Sequence, residues 1–141
     1  MHHSAANELA SSNRRLHILV VEDDEFSREM MAHLLSLTGN HSIEVVENAE
    51  DGLAHLRADA AYDLVFTDVG LPGMSGLEMV DRAVNDGLIS PAHVVVCSAY
   101  TSIREAVLAR GATCIPKPVD AHKIASMVVL RGNATDKQES S

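Results

Sequence analysis

Apolar positions along this chain switch between two periods. Leu16-His-Ile-Leu-Val-Val21, Leu64-Val-Phe-Thr67 and His93-Val-Val-Val-Cys97 are nearly continuous apolar runs, the pattern of strands covered on both faces. Ser42-Ile-Glu-Val-Val46 alternates instead, as a half-exposed edge strand does, and Thr113-Cys-Ile115 is a fifth, short run. Between the runs the period lengthens. Phe26, Met30, Leu34 and Leu37 recur at helical spacing, and Gly39 follows as a stop. Asn48 predicts the cap of a helix running to about Ala58. Ser75-Gly-Leu-Glu78 and Ser102-Ile-Arg-Glu105 both fit the Ser-x-x-Glu capping box, in which each side chain bonds an orphan backbone N–H. Gly111 ends the second of those helices, and Asp120 caps a last one through about Leu130. Five βα units in series, with connections of this length, predict one doubly wound α/β domain: a parallel sheet with helices on both faces.

Composition narrows this picture. Apolar residues make up 46% of the 141 residues and aromatics 3%, so the core must be aliphatic. Residues 1–13 and 132–141 are polar and predicted to be tails around a domain over 14–131, and His2 and His3 carry little weight as a metal site. Eleven basic against twenty acidic residues leave a net charge of −9, which argues against general affinity for nucleic acid or an anionic membrane. Cys97 and Cys114 are too few for a disulfide framework and lack metal-site spacing. They predict two reduced, buried thiols in a cytoplasmic protein. No run approaches the roughly 18 apolar residues of a membrane helix.

The chemistry gathers at strand ends. The first run closes on Glu22-Asp23-Asp24 and the third on Asp68, followed by Val69-Gly-Leu-Pro-Gly-Met-Ser-Gly76. Open α/β sheets bind ligands at the carboxyl ends of their strands. If the first and third strands are neighbours, three carboxylates share one pocket; two of them about 5 Å apart repel by roughly 3 kcal/mol at an effective dielectric near 20. A proton, a cation or a metal must relieve that. Oxygen ligands favour a hard ion such as Mg²⁺. Lys117, between two prolines past the fifth strand, supplies a fixed positive charge, and Ser98, past the fourth, a hydroxyl donor. Asp24, before Glu25-Phe26, reads as a helix N-cap. Singly each of these residues has an ordinary structural explanation. Together they suit transfer of a phosphoryl group onto a carboxylate.

Ile18-Leu-Val-Val-Glu-Asp-Asp24, Asp68 with Leu71-Pro-Gly-Met-Ser-Gly76, Ser98-Ala99 and Lys117-Pro118, in that order, resemble the receiver domain of two-component response regulators. The likeness covers about Leu16 to Leu130. It implies a flavodoxin-like (βα)5 fold with strand order 2-1-3-4-5, an order given generally for a chemotaxis receiver. It also implies Asp68 as phosphoacceptor, Asp23 as direct Mg²⁺ ligand, Glu22 acting largely through water, and the Gly70 carbonyl completing the coordination. Ser98 and Lys117 would contact phosphoryl oxygens, the small Ala99 would leave the phosphate reachable, and the Lys117-Pro118 bond would be cis. Two positions depart from the family: Cys114 stands where a Tyr or Phe usually moves inward on activation, and Val119 follows Pro118 where an aromatic is usual. Tyr100 is an alternative tuning residue, shading the phosphate or signalling through the fourth helix.

The implied partners are a histidine kinase or histidine phosphotransfer protein upstream, and a downstream protein met by the helix 4, strand 5, helix 5 face. Eleven residues after Leu130 are too few for an effector domain, so a protein contact is the expected output. The alternatives are a pseudo-receiver used only for binding, or a receiver cut from a hybrid kinase or multidomain regulator. An aspartyl-phosphate phosphatase would want an acid two residues after its nucleophile, where this chain has Gly70, so no enzyme is expected beyond self-phosphorylation and self-dephosphorylation.

Overall fold

The computed structural model describes residues 14–59 and 61–140, with residues 134–140 given by backbone only. Five strands, β1 (His17–Val21), β2 (Ser42–Val46), β3 (Leu64–Asp68), β4 (Val94–Ser98) and β5 (Thr113–Pro116), form one parallel sheet in the order β2-β1-β3-β4-β5. The intervening helices are α1 (Glu25–Ser36), α2 (Ala49–Ala58), α3 (Gly76–Asn85), α4 (Arg104–Ala109) and α5 (Ala121–Ser140). The predicted architecture is the observed one, and the two hydrophobic periods are its cause. Residues of β1, β3 and β4 are buried almost throughout, whereas β2, at the edge, leaves Val45 43% exposed.

The sheet divides the interior into two aliphatic cores. One gathers Leu19, Val21, Val65 and Val96 under α2 and α3; the other gathers Ile18, Val20, Phe66 and Cys97 under α1 and α5. Alternating strand residues feed opposite cores, as the two-residue period requires. Burying a Val or Leu side chain contributes about 1.5–3 kcal/mol each, so these layers hold the strand tips still.

Four local expectations need correction. In α1 the buried residues are Met31 and Leu35, while Phe26, Met30 and Leu37 are exposed; the helical period is right but the stripe is shifted by one position. Ser75 accepts from Glu78 N, yet the Glu78 carboxylate turns to Arg82 at 2.8 Å, so that capping box is half made. Ser102 caps nothing: Thr101–Ile103 is a 3-10 turn, and α4 starts after it with no side-chain cap. The last helix does not stop near Leu130 but continues to Ser140, through a segment with no proline to break it. Residues 1–13, with His2 and His3, lie outside the described residues.

Candidate functional site

The tips of β1 and β3 are adjacent, and the chain turns acidic at both. Glu22, Asp23 and Asp68 each offer a carboxylate oxygen, all within 4.8 Å of one another. Glu22 is buried at 7% exposure, Asp68 is half-buried and Asp23 is exposed. Lys117 reaches across from β5. Its Nζ donates to Glu22 Oε1 at 2.7 Å and to Asp68 Oδ2 at 3.1 Å. Burial by itself would lower the lysine's pKa; the bonds to Glu22 and Asp68 outweigh it and hold the ammonium above its ordinary value. One cation therefore faces three acids, and the cluster keeps an excess of negative charge. The Lys117-Pro118 bond is cis.

Asp68 is held on every side that does not face the pocket. Its Oδ1 accepts from Val69 N at 2.7 Å, and its carbonyl accepts from Thr67 Oγ1 at 2.9 Å. The same carbonyl abuts Gly76, where a Cβ would collide with it; only glycine lets α3 begin so close to the strand tip. The loop between folds back on itself through bonds from Leu71 N and Gly76 N to Val69 O, both at 3.0 Å. Gly70 lies exposed there with open space around its Cα.

Two further residues support the pocket, and the sequence singles out neither. Arg28 donates to the carbonyls of Glu22 and Asp23, each at 3.1 Å, fixing the acidic turn that Asp24 also caps through Ser27 N at 2.8 Å. The bond from Ser27 holds the Asp24 carboxyl below the usual range. Glu50, from α2, accepts from Met74 N at 3.1 Å and sits against Gly73, whose φ of 78° is left-handed. It straps down the loop carrying Gly70. The signal for Arg28 was its place one turn into α1; Glu50 reads in sequence only as a first-turn acid.

On the other side the fit is looser. Ser98 is buried at 4% exposure; its Oγ accepts from Tyr100 N at 3.0 Å and donates to Tyr100 O at a long 3.5 Å. The Tyr100 ring is 70% exposed and so does not cover the pocket, and Ala99 beside it is exposed too. Cys97, one residue earlier, is buried under the site, and burial pushes its thiol up to about 12. Cys114 is half-buried rather than buried, on the opposite face of the sheet from Cys97; both are free. Structure thus brings together Glu22, Asp23, Asp68 and Lys117, with Ser98 at the neighbouring tip, and leaves Tyr100 and Cys114 outside the polar cluster.

Three carboxylates and no sulfur or imidazole make a hard-oxygen donor set that fits Mg²⁺. Among the described residues the Asp23 carboxylate makes no hydrogen bond or ion pair, which leaves it available to a metal. No helix among the described residues is long and apolar enough to cross a membrane.

The family profile described as "Response regulator receiver domain" matches residues 18–129. A "Cyclic di-GMP phosphodiesterase" of Thermotoga maritima is 36% identical over 108 residues, 73% of this chain but 27% of the relative. The "Transcriptional regulatory protein DltR" of Streptococcus agalactiae is 32% identical over 117 residues, 82% of this chain and 51% of the relative. The chain thus spans about a quarter to a half of these relatives' length. Among solved structures, a CheY-like response regulator receiver domain protein from Methanospirillum hungatei superposes with a TM-score of 0.76 at 24% identity, covering 89% of this chain and 99% of that one.

Proposed function

The chain belongs to the response regulator receiver domain family, and on that premise we propose that it is a phosphorylation switch whose acceptor is Asp68. The observation that carries the reading is one ammonium, Lys117, bonded to both Asp68 and Glu22 with Asp23 beside them. The phosphodonor is a histidine kinase or histidine phosphotransfer protein. An Asp68 carboxylate oxygen attacks phosphorus as the donor's P–N bond breaks, and the departing imidazole takes a proton from water. Lys117 then offsets charge on the phosphoryl oxygens. Glu22, Asp23, Asp68 and the Gly70 carbonyl would hold Mg²⁺, which when bound neutralises phosphoryl charge. No external substrate is turned over; the aspartate is both acceptor and, by hydrolysis, the point of release.

The route out of the pocket runs through Ser98. Its hydroxyl hydrogen points along a long bond to Tyr100 O and is the easiest in the site to redirect onto a phosphoryl oxygen. Redirecting it loosens Tyr100 and the 3-10 turn that leads into α4. Tyr100 acts here through its backbone, and Cys114, with no ring to swing, is a bystander to the movement. The signal is then read at the α4-β5-α5 face by another protein, in the cytoplasm, with neither nucleic acid nor membrane as a direct target of this domain. Phosphorylation acts by shifting a two-state equilibrium, and its reach is limited by the difference in interaction energy between the states.

The test is direct. Incubated with Mg²⁺ and acetyl phosphate and weighed intact, the protein should gain one phosphoryl group, and Asp68→Asn should gain none. An adduct that persists in Asp68→Asn, or no adduct with any donor, overturns the assignment and favours a pseudo-receiver.

A further inference from the structure

Basic side chains are scarce in this chain, and most are spoken for. Arg14, Arg28, Arg57, Arg82, Arg110 and Lys117 all pair with carboxylates. Arg104 and Lys123 have no ion pair among the described residues, and neither has His122. These three line one groove of about 370 Å³ between α4, β5 and α5. Its floor is apolar, made by Cys114, Ile115 and Met127, and no acidic side chain lines it.

The arrangement is electrostatically uncomfortable. Lys123 stands in the first turn of α5, at the positive end of its dipole, where a cation is disfavoured; Asp120 caps that end by accepting from His122 N at 2.7 Å but does not line the groove. Arg104 crosses the open edge of β5, and its guanidinium donates to Cys114 O at a long 3.4 Å. In a chain with twenty acids to eleven bases, two cations without an ion pair among the described residues share this rim, while Arg15 lies apart from it. Cys114 sets the depth beneath them, because a ring at that position would rise into the space its small thiol leaves.

We infer that this groove binds an acidic segment of a partner protein, with carboxylates meeting Arg104 and Lys123 and one large apolar side chain seated over Cys114. The anionic partner pairs with Arg104 and Lys123, and its apolar side chain fills the floor. The inference deepens the proposed output face and rests on that reading only for the role of the binding, not for its chemistry.

Panning a random twelve-residue peptide library against the full chain, with Mg²⁺ and with or without acetyl phosphate, tests it. The selected peptides should be rich in Asp and Glu around one aromatic or large aliphatic residue, and should perturb the backbone amides of Cys114, Ile115 and Lys123. Binding should weaken at least tenfold in Arg104→Glu/Lys123→Glu, at least tenfold in Cys114→Phe, and steeply with added salt. Peptides lacking acids, binding insensitive to the charge reversal, or no enrichment at all overturn the proposal. Intact mass of the double variant after acetyl phosphate keeps the two readings apart: it should still gain one phosphoryl group, so loss of peptide binding with a normal adduct speaks to the groove alone.

Discussion

The two halves of the sheet's carboxyl end are built to different standards. On the β1-β3 side, α1, α2 and α3 each begin on a side-chain cap, from Asp24, Asn48 and Ser75. Lys117, Arg28 and Glu50 tie the acidic turn and the acceptor loop to distant parts of the chain. On the β4-β5 side, α4 is six residues long, starts uncapped after a 3-10 turn, and leans on a four-residue edge strand. Rigid placement would serve the proposed role of Asp68, which is to meet a metal and a phosphate within fractions of an ångström. Weakly held elements serve a signal, because segments that move are drawn from the low-stability end of a fold.

The largest expected effect strikes the rigid half at its charge. Lys117→Met leaves Glu22 and Asp68 facing one another and should slow acyl-phosphate formation by about 10²–10³, the loss typical of one electrostatic donor; intact mass over time reads it. Gly76→Ala forces a methyl into the Asp68 carbonyl and should cost about 1–3 kcal/mol in chemical denaturation, as overpacking does. Glu50→Ala should weaken Mg²⁺ binding about tenfold with little change in melting temperature, since an outer support is lost rather than a ligand; Glu50→Gln, which keeps the acceptor oxygen, should recover most of it. A Glu50→Ala protein that binds Mg²⁺ normally would erase the distinction between straps and bystanders.

The smallest effect belongs to the loose half. Arg110 grips Asp81 with two bonds, at 2.8 and 3.0 Å, and ties the end of α4 to α3. The hydrogen bond from Arg110 holds the Asp81 carboxyl below its usual range. A depressed carboxyl contributes stability that is whole above its unfolded value of about 3.9 and is lost as pH falls through the lower folded one. The pair is largely exposed, so Asp81→Asn should cost under about 1 kcal/mol at neutral pH. Hydrogen exchange should quicken in α4 but not in β1, and melting between about pH 5 and about pH 3 should fall less steeply than in the wild type.

Much of the rigid half was legible before any coordinates. Continuous apolar runs announce buried strands, and polar groups just past them announce a site, because both follow from burial and the two-residue period. Asp24, Asn48 and Asp120 could be read as caps for the same reason: the partner is three residues away or fewer. Straps were not legible. Glu50 meets Met74 24 residues on, and nothing local distinguishes it from any first-turn acid. The loose half misled in a different way. Ser102-Ile-Arg-Glu105 has the letters of a capping box, yet the Tyr100 carbonyl takes the Ile103 N–H and tightens the entry into a 3-10 turn. On α1 the four apolar positions fit a helix, but the sheet lies under Met31 and Leu35 instead. Periodicity reveals the element; only the neighbouring layer decides which side it buries.

Lys117 meets Glu22 across 95 positions of sequence and Asp68 across 49. A ribosome adding about 5–20 residues each second delivers the acids several seconds before their counter-ion. For that interval the emerging chain carries Glu22, Asp23 and Asp68 with no ammonium to join them, and β1 waits for β3 with only β2 beside it. Birth order thus leaves the lysine, and α5 with its buried Ile124 and Val128, to the end of assembly, and a nascent chain halted before them should remain open to proteases that the finished domain resists.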